Sequence, residues 1–253
     1  MISIFALRLA CGLLACLWLL SAAQVNPRFF RVHFLTALGL TAAGWFFARE
    51  DAGLAMHLAL LAALLLCFFG SIVWHVEGAP LGRFAIYAAT CALAAGLVLA
   101  GTMVRGSAAS DSGDGWLIAD DFASTAVLGS ATTAMLMGHS YLIAPAMSLT
   151  PLLTLLGALG VSLAVRIAFA AAGLWQWTEL NTWANLESEL LLWLSVRWLI
   201  GFVGPLVLGW MAWETTRIRS TQSATGILYV VVILCFLGEL TSQLLLSKTG
   251  YVL

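Results

Sequence analysis

The chain has 253 residues, of which 62% are hydrophobic and only 9% charged, and its formal net charge is −1. Ordinary soluble domains carry about 25% charged residues, so a water-soluble globule is excluded. A near-neutral chain also gives no footing to nucleic-acid binding.

The apolar runs are continuous and about 20 residues long, which argues against a β-barrel and predicts an all-α polytopic bundle in a lipid bilayer. Eight spans are expected, at 2–23, 29–48, 54–76, 81–104, 122–143, 151–174, 190–213 and 222–246, in one transmembrane domain covering 1–253. The first run starts at Ile2 with no basic segment before it, so it reads as a retained helix rather than a cleaved signal. Small residues crowd the fourth and fifth spans, where they let helix backbones approach closely. Between these spans lies the longest connection, 105–121, rich in Gly, Ser and Asp. The segment 175–189, with Trp175, Trp177 and Trp183, suits the headgroup level, as a short helix lying on the membrane or a surface that docks partners. In the seventh span Pro205 lacks a backbone donor and predicts a kink. The five cysteines all fall in apolar runs and form no CxxC pair, as expected of small buried side chains.

Alternate connections fall on two sides. One side carries Arg28, Arg31, Arg83, Arg217 and Arg219; the other holds Arg49, Arg105 and Lys248 but also Glu50, Asp51, Asp111, Asp114, Asp120, Asp121, Glu179, Glu187 and Glu189. The excess of Lys and Arg places the first side in the cytoplasm and both termini outside, as in a bacterial inner membrane.

Charges at membrane depth cost at least a few kcal/mol unless paired, hydrated or used. Counting about 1.5 Å per residue from the outer ends, Arg8, Arg166, Arg197 and Glu239 share one slab roughly 10 Å below the outer face. His57 lies just above it. Glu239 neutralises one arginine; a second buried arginine still needs an anion or carbonyl groups. Two readings follow. One is a structural clamp across the last three helices with Arg8 reaching to the surface. The other is a polar pocket in which Arg8, Arg166 and Arg197 bind a substrate headgroup and Glu239 handles protons. Its occupant would be a quinone, a haem propionate or an anionic lipid.

A second layer lies at the inner face: His33, His75 and His139, with the hydroxyl-rich stretch 220–225. Each histidine serves as an interfacial side chain bonded to carbonyls or water, or as a ligand to haem b or a metal. On depth alone His33 with His139, or His75 with His139, would make a bis-histidine pair.

Two fragments resemble the quinol-interacting membrane anchors of the NrfD/DmsC type. The run Gly238-Glu239-Leu240-Thr241-Ser242-Gln243 is similar to their Gly-Glu-Leu-x-x-Arg, with Gln243 in place of the arginine. The stretch from His75 through Pro80 to Arg83 is similar to their His-Leu-Gly-x-Pro-x-Arg turn, with one extra residue and after the third span rather than the second. The resemblance implies a quinol-interacting subunit that passes electrons to a partner, with Glu239 and His75 as the positions carried over. The leading expectation is therefore a membrane subunit of a respiratory electron-transfer complex, alongside other subunits. An anion or small-solute transporter and a structural or assembly subunit are the alternatives.

Overall fold

The computed structural model describes residues 1–48, 53–76, 81–105, 114–144, 147–180 and 188–253. The described residues are mainly helical, with no strand among them. The helices are α1 (Ile2–Cys16, continued by a 3₁₀ turn Leu17–Leu19), α2 (Pro27–Phe46), α3 (Leu54–Val73), α4 (Gly82–Arg105), α5 (Asp114–Ile143) and α6 (Thr150–Leu180). Then come α7 (Ser188–Ser195), a π-helical stretch (Val196–Val203), α8 (Gly204–Arg217) and α9 (Thr221–Thr249). The pieces from Ser188 to Arg217 form one continuous rod.

Six of these rods are long and apolar enough to cross a membrane, at Ile2–Leu19, Leu54–Val73, Gly82–Thr102, Thr150–Glu179, Ser188–Arg217 and Thr221–Thr249. Their outward faces carry large apolar side chains, such as Leu58, Leu65 and Phe68 on α3 and Leu206 and Trp210 on α8, as lipid contact requires. The chain is a multi-pass helical membrane protein. The two less apolar rods have identifiable reasons. α2 opens with Arg28, Arg31 and His33. α5 is buried on most sides by other helices, so its face need not match lipid. Some of its hydroxyls bond to its own backbone: Thr125 donates to the Asp121 carbonyl and Ser130 to that of Ala126.

Packing divides the bundle into two rings of helices. α1, α2, α3 and α4 pack in sequence and close back on α1; α5, α6, α8 and α9 do the same and close on α5. The rings join along α1 and α5. There the backbones touch: a Cβ on Gly129 would lie 2.3 Å from the Gly12 carbonyl carbon, and one on Gly12 would lie 2.2 Å from the Thr125 oxygen. Only hydrogen fits at that crossing.

Several boundaries differ from expectation. α5 starts at Asp114, not at 122, so much of the predicted polar connection is helix, while 106–113 lies outside the described residues. Its Trp116-Leu117-Ile118-Ala119 run continues directly into the rest of α5. α6 runs on to Leu180, so Trp175 and Trp177 continue the sixth helix instead of forming a separate segment; Trp183 lies outside the described residues. Trp177 is buried against Leu245 and Leu253. Where a kink was expected, a π-helical stretch precedes Pro205, with Gly204 N–H donating to the Leu199 carbonyl five residues back. Widening the turn accommodates the proline ring and its missing donor. Four of the five cysteines are buried, as expected, while Cys91 is exposed.

Candidate functional site

The expected ionic cluster forms. α1 carries Arg8, α6 Arg166, the π-helical stretch Arg197 and α9 Glu239, and all four side chains converge in the interior at 2% exposure or less. Arg8 does not reach to the surface; it is 1% exposed. Two further members were expected in the outer connection. Asp120 and Asp121, on the first turns of α5, are 2% and 1% exposed and join the same cluster.

The connections are specific. Arg8 Nε donates to Asp121 Oδ1 at 3.1 Å, its Nη2 also contacts that carboxylate, and its Nη1 donates to Ser124 Oγ at 3.1 Å. Arg166 Nη1 pairs with Asp120, its Nε donates to Glu239 Oε1 at 3.1 Å, and its Nη2 to Ser242 Oγ at 2.8 Å. Arg197 Nη1 donates to Glu239 Oε1 at 3.2 Å, and its guanidinium lies over the Phe202 ring, 4.0 Å from the centroid. Ser124 links the two sides, accepting from Arg8 and donating to Glu239 Oε2 at 2.6 Å. Glu239 is thus the hub: it accepts from α5, α6 and the π-helical stretch, and Arg8 on α1 stands 4.0 Å away.

With all six groups ionised, three arginines meet three carboxylates and the formal charge sums to zero. That is how six charges tolerate burial that a single one would not. The two aspartates had a signal in the sequence. Three arginines at one depth against one carboxylate leave two positive charges over, and an Asp-Asp pair inside an apolar helical run is the nearest supply.

Local backbone makes the contacts reachable. Gly201 and Gly238 cross so closely that a Cβ on Gly238 would lie 2.5 Å from the Gly201 Cα and 3.2 Å from Arg197 Nη1. The guanidinium passes through the space a side chain would fill. Satisfaction is uneven, however. Among the described residues, Arg197 Nε and Nη2 and both amide atoms of the buried Gln243, one turn beyond Glu239 on α9, have no hydrogen-bond partner.

The histidines are dispersed. His57 accepts from Trp45 Nε1 at 2.9 Å and is held within the first ring of helices. His75, in the turn after α3, contacts Arg31 Nη1 at 3.1 Å; the rest of its predicted turn, 77–80, lies outside the described residues. His33 and His139 do share a site: both line one cavity between α2 and the end of α5. Among the described residues no group of three or more His, Cys, Asp or Glu is placed to hold a metal ion.

No family model matches this chain, and neither a curated protein nor a solved structure does.

Proposed function

We propose that this chain is an eight-span integral subunit of a membrane complex, with both termini on the outer face of a bacterial inner membrane, and that the ionic cluster is its structural tie. The reading is carried by one observation: six almost fully buried charges cancel, and they draw together α1, α5, α6, the π-helical stretch and α9. Lipid tails are as apolar as leucine, so apolar packing alone selects helix neighbours weakly within a bilayer. Buried ions select strongly, because any slip that separates them leaves a charge in a medium that cannot solvate it. Arg8 extends this selection to the first ring of helices, since moving α1 away from α5 would strand its charge opposite Asp121.

A tie and a reaction site respond differently to balanced removal. Arg8→Met with Asp121→Leu deletes one positive and one negative group together and leaves the Arg166–Glu239 and Arg197–Glu239 contacts in place. In native membranes the double variant is expected to keep near wild-type abundance and the same co-purifying chains and activity. A variant that melts like wild type but has lost activity would defeat the structural reading.

A second reading, the electron-transfer subunit that the NrfD/DmsC resemblance implies, draws support from the uneven satisfaction at the cluster's edge. The unpartnered Arg197 and Gln243 groups suit a quinone carbonyl, with Glu239 alongside to take up protons. On this reading Gln243→Leu lowers quinol-dependent electron transfer in isolated membranes without lowering the amount of folded chain. Unchanged transfer would remove it.

A further inference from the structure

At the end of α5 away from the ionic cluster, a cavity of about 290 Å³ opens between the start of α2 and the end of α5. His139 on its wall lies 19 positions beyond Asp120, which sets the two regions roughly 28 Å apart along the helix. The cavity has a packing origin. α2 and α5 both lie against α1, but they do not pack closely on one another. Phe29 and Val32 of α2 and Leu136 and Ile143 of α5 supply apolar walls. Val32 and Ile143 are themselves exposed, as is Leu35 about one turn further along α2. The cleft is therefore open on the outside of the bundle, and its apolar surface continues beyond it.

Two side chains of a different kind line the same cleft, Arg28 on the first turn of α2 and His139 near the end of α5. Both residues are exposed. The Arg28 backbone N–H donates to Asn26 Oδ1. Among the described residues, neither the Arg28 guanidinium nor the His139 imidazole has a hydrogen-bond or ion-pair partner. No Asp or Glu is among the described residues that line the cleft. An apolar slot thus ends at a cation with no protein anion beside it.

We propose that this cleft binds one anionic glycerophospholipid, whose headgroup is a phosphodiester with no ammonium. The phosphate accepts hydrogen bonds from Arg28 and His139, and one acyl chain lies against Phe29, Val32 and Leu136. The volume is at the lower end for small-molecule sites, so it holds part of that chain, and the rest runs past Leu35 into the bilayer. Charge complementarity selects the headgroup. A zwitterionic lipid brings an ammonium as well, which finds no carboxylate in the lining. The site is independent of both readings of the ionic cluster. It rests on the eight-span proposal only in requiring that α2 and α5 face lipid.

The test uses the full chain, delipidated in detergent and titrated under native mass spectrometry with phosphatidylglycerol and phosphatidylcholine of identical acyl chains. The first phosphatidylglycerol is expected to bind about tenfold more tightly than the first phosphatidylcholine, the worth of one charge-assisted hydrogen bond. Arg28→Gln is expected to erase the preference, and Val32→Trp, which fills the cleft but keeps Arg28, to weaken both lipids. Arg219→Gln removes an exposed arginine outside the cleft and should change neither. Equal affinity for the two lipids in the wild type overturns the proposal. So does a preference that survives Arg28→Gln or is lost equally in Arg219→Gln, and so does unchanged phosphatidylglycerol affinity in Val32→Trp. Displacement of the lipid by glycerol phosphate at matching concentrations shows a headgroup-only site and also overturns it. A co-purifying chain that must be stripped before lipid binds assigns the cleft to a partner helix, with the same consequence. A nitroxide on Leu35→Cys in a Cys91→Ser background reads the spanning of α2 separately. Relaxation by oxygen with lost lipid selectivity defeats the site alone, whereas relaxation by a water-soluble nickel chelate defeats the eight-span proposal and the site with it.

Discussion

Arg166→Met is expected to destabilise the protein by about 3–5 kcal/mol, the cost of removing one partner from a buried ionic group. Arg166 is fully buried and serves both Asp120 and Glu239, so its loss leaves the cluster with an uncompensated negative charge. Two double variants separate the effect of charge balance from that of connection. Arg166→Met with Asp120→Leu leaves Arg8 on Asp121 and Arg197 on Glu239, each ion still in contact with its opposite. This double variant is expected to recover most of the loss, because replacing a buried pair by apolar groups is often neutral. Arg166→Met with Glu239→Leu is equally balanced by count, yet it strips Arg197 of its carboxylate contact. It is expected to stay near the single variant. Thermal midpoints and folded yield in one detergent check all three. Equal losses in both doubles would mean that net charge, rather than the particular contacts, sets the stability.

The other large effect belongs to the crossing of α1 and α5. Gly129→Leu places a side chain where the backbone of Gly12 already lies, with the first added carbon 2.3 Å from its carbonyl carbon. Backbone cannot yield as a side-chain tip does, so α1 must back away. Overpacking alone costs about 1–3 kcal/mol. Arg8 lies one turn from Gly12 and moves with the helix, so its contact with Asp121 is lost too. The combined loss is expected to reach that of Arg166→Met. Gly39→Ala is the contrasting case: its added carbon meets nothing within 4 Å. There the helix should gain about 0.5–1 kcal/mol, since alanine restricts the unfolded chain more than glycine. Unfolding curves of the two variants give the comparison, and a mild Gly129→Leu would show that α1 is not held at this crossing.

Much of the bundle was legible because the bilayer leaves few choices. Long apolar runs become helices wherever backbone groups cannot reach water, and the ends of α3, α4 and α9 fall within a few residues of the expected spans. The shared depth of Arg8, Arg166, Arg197 and Glu239 was also legible, since depth follows from counting residues at a known rise. Asp120 and Asp121 were misplaced for a related reason. Acidic residues at the edge of an apolar run resemble loop residues when each is weighed alone; they become helix residues once arginines from α1 and α6 neutralise them. Burying Arg8 required the same information, because a side chain near a helix end can reach water or a partner, and residue counting cannot choose.

The linear chain by itself determined its solvent, its helical class and the level at which its charges must sit, because hydropathy and helix rise are local properties. Tertiary structure alone decided which helices are neighbours, that α5 lies at the junction of two rings, and that three carboxylates answer three arginines. It also decided that His33 and His139 line a common cavity while His57 and His75 are engaged elsewhere. Those outcomes depend on the rotation of each helix about its axis and on close approaches such as Gly12 to Gly129. Packing across the whole bundle sets both.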